Sequence, residues 1–172
     1  MCIDKEDNPY EQAESEGQFR QIERLAREIW SQHYFPIVGR PQIEYMLDRF
    51  QSAEAIARQI ENDGFEYYLI PADGGYAGYF AILPDPELRR MMLSKIYVGI
   101  EYRRQGIGRR VLDFIESECR QSGYSRIWLT VYRGNKRSIE WYRRRGFRID
   151  GPYIQDIGGG FVMNDFKMVK EI

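Results

Sequence analysis

The feature that most constrains the fold is a change in the spacing of apolar residues near Gly64. Before this point apolar residues recur at helical spacing, first from Ile22 to Trp30 and then from Ile43 to Ile60. After it, aromatic and β-branched residues form short strand-like runs that glycine and proline turns separate. This order, in a chain of 172 residues, predicts one α/β domain with a mixed sheet.

The predicted elements run as two helices, three strands and then β-α-β-α-β-β. The first helix starts near Gln18 and is broken at Gly39-Arg40-Pro41; the second starts at Pro41 and is ended by Asn62-Asp63-Gly64. Asp73-Gly74-Gly75 predicts a hairpin turn. Further strands are expected at 10–13, 65–70, 76–83, 88–98, 125–132, 147–154 and 161–169, and further helices at 106–122 and 135–145. We expect residues 1–8 to form a mobile acidic leader and residues 9–172 to form the domain.

Composition excludes several classes of protein. The two cysteines, Cys2 and Cys119, have no metal-ligand spacing, so neither a disulfide framework nor a zinc site is expected, and a cytoplasmic location fits. His33 is the single histidine, so no histidine-rich metal site is expected. No apolar run approaches the ~18 residues that a membrane span needs, and the first residues lack the basic and apolar regions of a secretory signal.

The charge is divided between the two halves of the chain. Residues 1–86 carry a net charge of −9 and residues 87–172 carry +8, and 20 of the 25 cationic residues are Arg. The net charge of −1 argues against a dedicated nucleic-acid binder. Arg is suited to bidentate recognition of phosphate, so the basic half predicts a phosphate-containing ligand.

The most informative motif is Arg103-Arg104-Gln105-Gly106-Ile107-Gly108-Arg109-Arg110, which lies between a predicted strand and a predicted helix. The first backbone N–H groups of a helix are unpaired, and glycine lets a phosphate approach them closely. The motif is neither a P-loop nor a complete dinucleotide fingerprint. It predicts a pyrophosphate site; the alternative is a glycine turn with solvated arginines.

A second motif follows the predicted strand 125–132. On a helix, Asn135, Ser138, Ile139 and Tyr142 share one face, which would place an amide, a hydroxyl and a phenol together. The alternative is that Asn135 is a helix cap and Tyr142 a core aromatic residue.

Together these motifs resemble the GNAT superfamily of acyl-CoA N-acyltransferases. The resemblance is close over residues 88–148, and residues 160–168 are similar to the family's last strand. It is carried by Leu93-Ser94-Lys95-Ile96-Tyr97-Val98, Arg103-x-x-Gly106-x-Gly108, Leu129-x-Val131, Asn135, Ser138, Tyr142, Arg144 and Gly146-Phe147. It implies a mostly antiparallel twisted sheet of six to seven strands, flanked by helices and splayed at its centre to hold CoA.

The resemblance also implies roles for individual residues. Acetyl-CoA would be the co-substrate, with no metal. Tyr142 would be the general acid, and Gly99 would suit a bulge or strand end. The expected cofactor-binding residues are Ile96, Tyr97 and Val98 for the pantetheine arm, Arg103, Arg104, Gln105, Gly106, Ile107, Gly108 and Arg109 for the pyrophosphate, and Asn135, Ser138 and Arg144 nearby; a solvated Arg144 is the alternative.

The general base stays unassigned. Met92 occupies the position where some family members carry a Glu, and it cannot accept a proton. Ser94 could order a water molecule instead. Other candidates are Glu66, Asp85, Glu87, His33 and Tyr34, and a structural role for His33 is the alternative to a catalytic one.

The predicted function is transfer of an acetyl group from acetyl-CoA to a primary amine. The acidic first half favours a small cationic acceptor such as a polyamine; the alternative is an ordinary solvated acidic surface. The alternatives are acetylation of a protein amine and a non-catalytic acyl-CoA-binding regulator. We expect no nucleic-acid or membrane partner; a homodimer is common in the family.

Overall fold

A computed structural model describes residues 8–172, in which one sheet of seven strands is packed between helices. The predicted leader, apart from its last residue, lies outside the described residues. The helices are α1 (Glu16–Val38), α2 (Arg40–Phe50), α3 (Ala53–Asp63), α4 (Ile107–Gln121) and α5 (Lys136–Arg143), with a 3₁₀ turn at Ile100–Tyr102. The strands are β1 (Glu11–Gln12), β2 (Glu66–Ala72), β3 (Gly75–Asp85), β4 (Arg90–Val98), β5 (Arg126–Tyr132), β6 (Arg148–Gly158) and β7 (Phe161–Glu171).

The helical region differs from the prediction in one respect. The single helix expected from Pro41 to Gly64 is wrong, because the chain forms α2 and α3 with a break at Gln51 and Ser52. The Ser52 hydroxyl accepts a hydrogen bond from the Ala55 N–H at 3.2 Å and so caps a new helix. The buried Gln51 side chain accepts a hydrogen bond from the Tyr79 hydroxyl at 2.7 Å, which anchors the break to the sheet.

The sheet confirms the predicted mixed and mostly antiparallel architecture. Its strand order is β1-β2-β3-β4-β5-β7-β6, and the β4–β5 pair is parallel while the other pairs are antiparallel. The parallel pairing joins only Arg90–Met92 to Arg126–Trp128. Beyond these residues β4 and β5 separate, so the sheet splays open at its centre.

An irregularity in β4 accompanies this opening. Ala81 pairs with Lys95 whereas Ile82 pairs with Leu93, which leaves Ser94 as an extra residue in β4. Gly99 directly follows the strand, and its N–H donates to the Ala77 carbonyl oxygen at 2.8 Å. Gly99 is therefore at the predicted strand end, and the bulge lies at Ser94.

Two apolar clusters fix the helices on the two faces of the sheet. One packs α4 and α5 against residues such as Leu93, Ile127 and Leu129. The other packs α1, α2 and α3 against the opposite face, which includes Tyr79 and Ala81. No helix within residues 8–172 is long and apolar enough to cross a membrane.

Candidate functional site

The gap between β4 and β5 opens into two cavities. The first, of about 470 Å³, is lined by Arg103, Arg104, Arg109, Arg137 and Arg145 among others, and we call it the arginine cavity. The second, of about 520 Å³, lies under α1 and α2 on the face of the sheet that carries Lys95 and Asp165, and we call it the central cavity. Both cavities are lined by Tyr34, Ile96, Tyr97, Ser138 and Tyr142. The two cavities therefore meet at these five residues.

The start of α4 forms one wall of the arginine cavity. Gly106 precedes the helix with a φ of 75°, a left-handed conformation that glycine adopts without strain. No side chain of residues 8–172 caps α4, so within this part of the chain the N–H groups of Ile107, Gly108 and Arg109 are left for a ligand. This wall combines free N–H donors with the positive end of a helix dipole, which favours phosphate.

The arginine side chains supply the remaining charge. Arg103 is held in place because its Nε donates to the Val98 carbonyl oxygen at 3.0 Å. Arg145 stacks on the Trp141 ring at 3.9 Å from the centroid, and its buried Nε has no hydrogen-bond partner among the described residues. Burial, followed by the nearby charge of Arg109, lowers the Arg145 pKa. A buried cationic donor without a partner is costly unless an anion binds there, which matches a phosphate.

The structure brings most of the predicted cofactor-binding residues together. The arginine cavity is lined by Ile96, Tyr97, Val98, Arg103, Arg104, Gly106, Ile107, Gly108, Arg109, Ser138 and Tyr142. Asn135 lines the central cavity instead. Gln105 and Arg144 line neither cavity. The Gln105 amide donates to the Glu101 carbonyl oxygen, and Arg144 forms an exposed ion pair with Glu140 at 3.3 Å.

Asn135 links the start of α5 to helix α1. It is 4% exposed, and its side-chain oxygen accepts a hydrogen bond from the Ser138 N–H at 3.2 Å, so it does cap the helix. Its Nδ2 lies 3.4 Å from Nε2 of His33. Desolvation, together with Arg103 and Arg137, lowers the His33 pKa, which favours the neutral ring. Neutral His33 can accept this hydrogen bond through Nε2, which gives the residue a positioning role beside the arginine cavity.

Tyr142 lies at the junction of the two cavities. Its ring contacts Trp141 and Phe147 in edge-to-face geometry, with centroid distances of 5.0 and 5.5 Å. Burial raises the Tyr142 pKa well above its usual range, so the phenol stays protonated at neutral pH. Tyr142 can therefore donate a hydrogen bond to a group that gains negative charge at the junction.

The structure separates the candidates for the general base. His33 and Tyr34 lie beside the site, and Met92 and Ser94 line the central cavity. The remaining three candidates are carboxylates, and they line neither cavity. Glu66 accepts a hydrogen bond from the Tyr68 hydroxyl at 2.7 Å, Asp85 is paired with Arg90 at 2.8 Å, and Glu87 is exposed in the turn before β4.

The three charged residues that line the central cavity, Asp63, Lys95 and Asp165, were not among the sequence candidates, and the last two lie on strands of the sheet. Asp165 of β7 is 4% exposed and pairs in register with Tyr132 and Tyr153. Burial raises the Asp165 pKa to about 6, against opposing effects of a hydrogen bond from Thr130 and the charge of Arg133. No Lys, Arg or His within residues 8–172 forms an ion pair with this carboxylate.

Lys95 of β4 is the second of these two strand residues. Its Nζ lies 5.1 Å from the ring centroids of both Phe65 and Tyr67 and 3.0 Å from the Ser94 hydroxyl oxygen. Desolvation lowers the Lys95 pKa to about 7, and no carboxylate of the described chain pairs with it. A sequence signal was available for Lys95 alone, which is the one charged residue of the run from Met91 to Val98; Asp165 lies beside Asn164 and two residues before Lys167, so its strand pattern gives no such signal.

Comparison with known proteins identifies the family. The profile of the Acetyltransferase (GNAT) family matches residues 19–147, which is most of the chain. The chain belongs to the GNAT family. In the described part of this GNAT protein, no group of three or more His, Cys, Asp or Glu side chains could hold a metal ion.

Individual relatives support this assignment. An uncharacterized N-acetyltransferase of Mycobacterium bovis is 27% identical over 137 residues, which cover 80% of this chain and 86% of the relative. A thialysine N-epsilon-acetyltransferase of Sus scrofa is 28% identical over 111 residues, covering 53% of this chain and 65% of the relative. The fold is similar to that of the PaiA N-acetyltransferase of Thermoplasma acidophilum in complex with coenzyme A. The TM-score is 0.74 and the identity 23%, with 95% of this chain and 99% of that chain covered.

Proposed function

We propose that this GNAT protein transfers the acetyl group of acetyl-CoA to the primary amine of a small acceptor. The observation that carries the proposal is the meeting of the arginine cavity and the central cavity at Tyr34, Ile96, Tyr97, Ser138 and Tyr142. Two ligands that enter from opposite sides would come into contact there. Direct transfer between two bound substrates requires this arrangement.

The arginine cavity fits the phosphates of CoA. Its helix N-terminus, its arginines and the unsatisfied Nε of Arg145 supply donors for a pyrophosphate. The edge of β4 from Leu93 to Val98 has no partner on the β5 side, so the pantetheine arm can add to the sheet along Ile96–Val98. These features support acetyl-CoA as the co-substrate. Arg144 is an exposed cation outside the cavity, so its proposed phosphate contact has less support.

Tyr142 is the proposed general acid. Because burial raises its pKa, full proton transfer to a thiolate is less favourable than it would be for an exposed tyrosine. A hydrogen bond from the phenol to the sulfur, with late proton transfer, stabilises the leaving group without that cost. In this reaction the amine nitrogen attacks the thioester carbonyl carbon, the C–S bond breaks and CoA leaves as the thiolate.

A small cationic amine such as a polyamine is the first candidate acceptor. The central cavity contains the carboxylates of Asp63 and Asp165 together with aromatic walls such as Trp30 and Phe65, and these groups favour an ammonium ion on an alkyl chain. Within the described first half of the chain, Asp63 is the one acidic residue in this lining. The charge of that half therefore acts mainly through the outer surface.

An amine that also carries a carboxylate is the second candidate. The observation that favours it is Lys95, a cavity lysine that has no carboxylate partner in the described part of the chain. An acceptor of this class would place its anionic group near Lys95 and its amine near the junction. A diamine would instead bring a second positive charge close to Lys95, which costs free energy whenever the lysine is protonated.

A panel of amines distinguishes these candidates. Acetyl-CoA consumption is measured with diamines and polyamines, amino carboxylates, and peptides with free amino groups. Release of CoA that depends on one small-amine class supports the proposal and selects the acceptor. Turnover with peptides alone would favour a protein amine. Tight CoA binding without turnover on any amine would favour a regulatory acyl-CoA-binding protein.

The cytoplasmic location and the absence of a nucleic-acid partner belong to the same proposal. The arginine cluster is accounted for by a phosphate-containing co-substrate, and Cys119 is a buried free thiol. A homodimer stays a prediction from the family resemblance.

A further inference from the structure

Asp165 is a buried carboxylate to which the proposed acetyl transfer assigns no role. It is 4% exposed, it lines the central cavity, and no described cationic side chain forms an ion pair with it. A buried carboxylate is retained at a cost unless something compensates its charge. The compensating group can be a ligand, because the side chain faces a cavity rather than the packed core.

Asp165 lies close to the junction of the two cavities. In β7 it lies opposite Tyr132, the last residue of β5, and the helix that carries Ser138 and Tyr142 starts four residues later. Burial is the main cause of the raised pKa of Tyr34, one of the five residues shared by both cavities, and the charge of Asp165 adds to it. The carboxylate is therefore close to the place where the acceptor amine must meet the thioester.

We propose that the Asp165 carboxylate binds the ammonium group of the acceptor and accepts its proton. This inference rests on the proposed acetyl transfer and supplies the base that the sequence leaves unassigned. One N–H bond of the ammonium breaks and an O–H bond forms on Asp165. The neutral amine attacks the carbonyl carbon, the C–S bond breaks, and the second amine proton neutralises the thiolate. Asp165 then releases its proton to solvent, so the sum is amide, CoA thiol and one proton.

The proton affinities are compatible with this step. In water an alkylammonium has a pKa of about 10.4, so a carboxylate that titrates near 6 would deprotonate it only about once in 10⁴ encounters. The environment of the central cavity reduces this difference between the two pKa values. Lys95 is an alkylamine in the same cavity, and desolvation lowers its pKa to about 7. If an acceptor amine is desolvated to the same degree, its pKa falls close to the pKa of Asp165.

Among the described residues, Asp165 is the one buried carboxylate that lines either cavity. The groups that face it from neighbouring elements are Tyr34 of α1, Thr130 and Tyr132 of β5, Arg133 after β5, Tyr142 of α5 and Tyr153 of β6. Burial raises the pKa values of Tyr34 and Tyr142, so these two phenols stay protonated near pH 7. His33, whose pKa is lowered, and Lys95, whose pKa is about 7, also line the two cavities, so a rise near pH 6 is assigned to Asp165 by its loss in Asp165→Asn.

The test compares the wild-type protein, Asp165→Asn and the control Asp156→Asn. Asp156 is an exposed aspartate on β6 that lines neither cavity, and Asn keeps the oxygen that accepts the Gly158 N–H at 2.8 Å. The best acceptor of the amine panel is assayed from pH 5 to pH 9. We expect wild-type kcat/KM to rise through about pH 6, and Asp165→Asn to lose this rise and about 10²-fold in kcat at pH 7. Asp156→Asn should match the wild type.

A second measurement separates proton transfer from a structural role. Acceptors of the same class with progressively lower amine pKa values, such as fluorinated analogues, reach the site already neutral. The deficit of Asp165→Asn should shrink along this series, and a purely structural defect would affect every acceptor equally. A wild-type profile without a rise near pH 6, or equal kcat in Asp165→Asn, overturns the inference while leaving the acetyl transfer intact. No CoA release by the wild type with any amine overturns both.

Discussion

Replacing Asp165 by Asn should stabilise the folded protein at neutral pH. The carboxylate is 4% exposed, and burial raises its pKa to about 6 from an ordinary value of 3.8. Between these two pH values the folded state binds more protons than the unfolded state, so the free energy of unfolding falls as pH rises. The wild type therefore loses stability from about pH 4 to pH 6 and remains at the lower level above that.

The expected change in the free energy of unfolding follows from the pKa shift of Asp165. A difference of about two pKa units corresponds to about 3 kcal/mol at pH 7, since each unit is about 1.4 kcal/mol. Asn removes the charge but leaves a buried amide that must find its own hydrogen bonds, so we expect a net gain of about 1–3 kcal/mol. For a domain of this size, each kcal/mol changes Tm by about 2–4 °C.

Urea unfolding at pH 4 and at pH 7.5 measures this gain. The difference between Asp165→Asn and the wild type should be near zero at pH 4 and largest at pH 7.5. The control Asp156→Asn, at an exposed position, should change the free energy by less than about 0.5 kcal/mol at either pH. A variant that is less stable than the wild type at pH 7.5, or a gain of equal size at both pH values, would refute the reasoning.

Three further predictions test other parts of the site. Tyr142→Phe should lower kcat while CoA affinity, measured by calorimetry, stays nearly unchanged; an unchanged kcat would remove the phenol from the mechanism. Gly78→Ala should destabilise the protein by about 2 kcal/mol or more in urea unfolding and raise KM for acetyl-CoA, because the new Cβ would clash with the Tyr97 carbonyl oxygen. Wild-type stability after this change would show that β4 can shift freely. Lys95→Met should raise KM for amino carboxylates by about tenfold or more and leave KM for diamines equal or lower; the opposite order would favour the polyamine.

The elements that depend on local chemistry were the predictable ones. The hairpin at Gly74 follows from turn residues that flank two strand patterns, and the glycines and arginines of the arginine cavity are contiguous in the chain. The division between α2 and α3 was not predictable from spacing. The apolar stripe continues across Ser52, because both helices bury the same side against the sheet. The break is marked by the Ser52 cap, a single local signal, and by the buried contact of Gln51 with Tyr79, 28 residues away.

The acceptor side of the site was less predictable because its residues are distant in sequence. Lys95 and Asp165 belong to strands on opposite sides of the gap and are 70 residues apart in the sequence. Their common cavity depends on the parallel pairing of β4 with β5 and on the return of β7 beside β5. Neither pairing has a signature in the residues themselves. Lys95 lies within the segment that carries the family resemblance, yet that resemblance gave it no role.

The short pairing between Arg90–Met92 and Arg126–Trp128 limits how firmly the two halves of the sheet are joined. Within the described chain, backbone hydrogen bonds connect the β1–β4 half of the sheet to the β5–β7 half at these residues and at the adjoining bond from the Ser125 N–H to the Arg89 carbonyl oxygen. A pantetheine arm along β4, with phosphates held at the start of α4 and beside α5, would tie the two halves together. Part of the binding free energy would then go into holding the sheet closed. Substitutions that loosen this joint, far from any phosphate, would therefore appear as weaker cofactor binding.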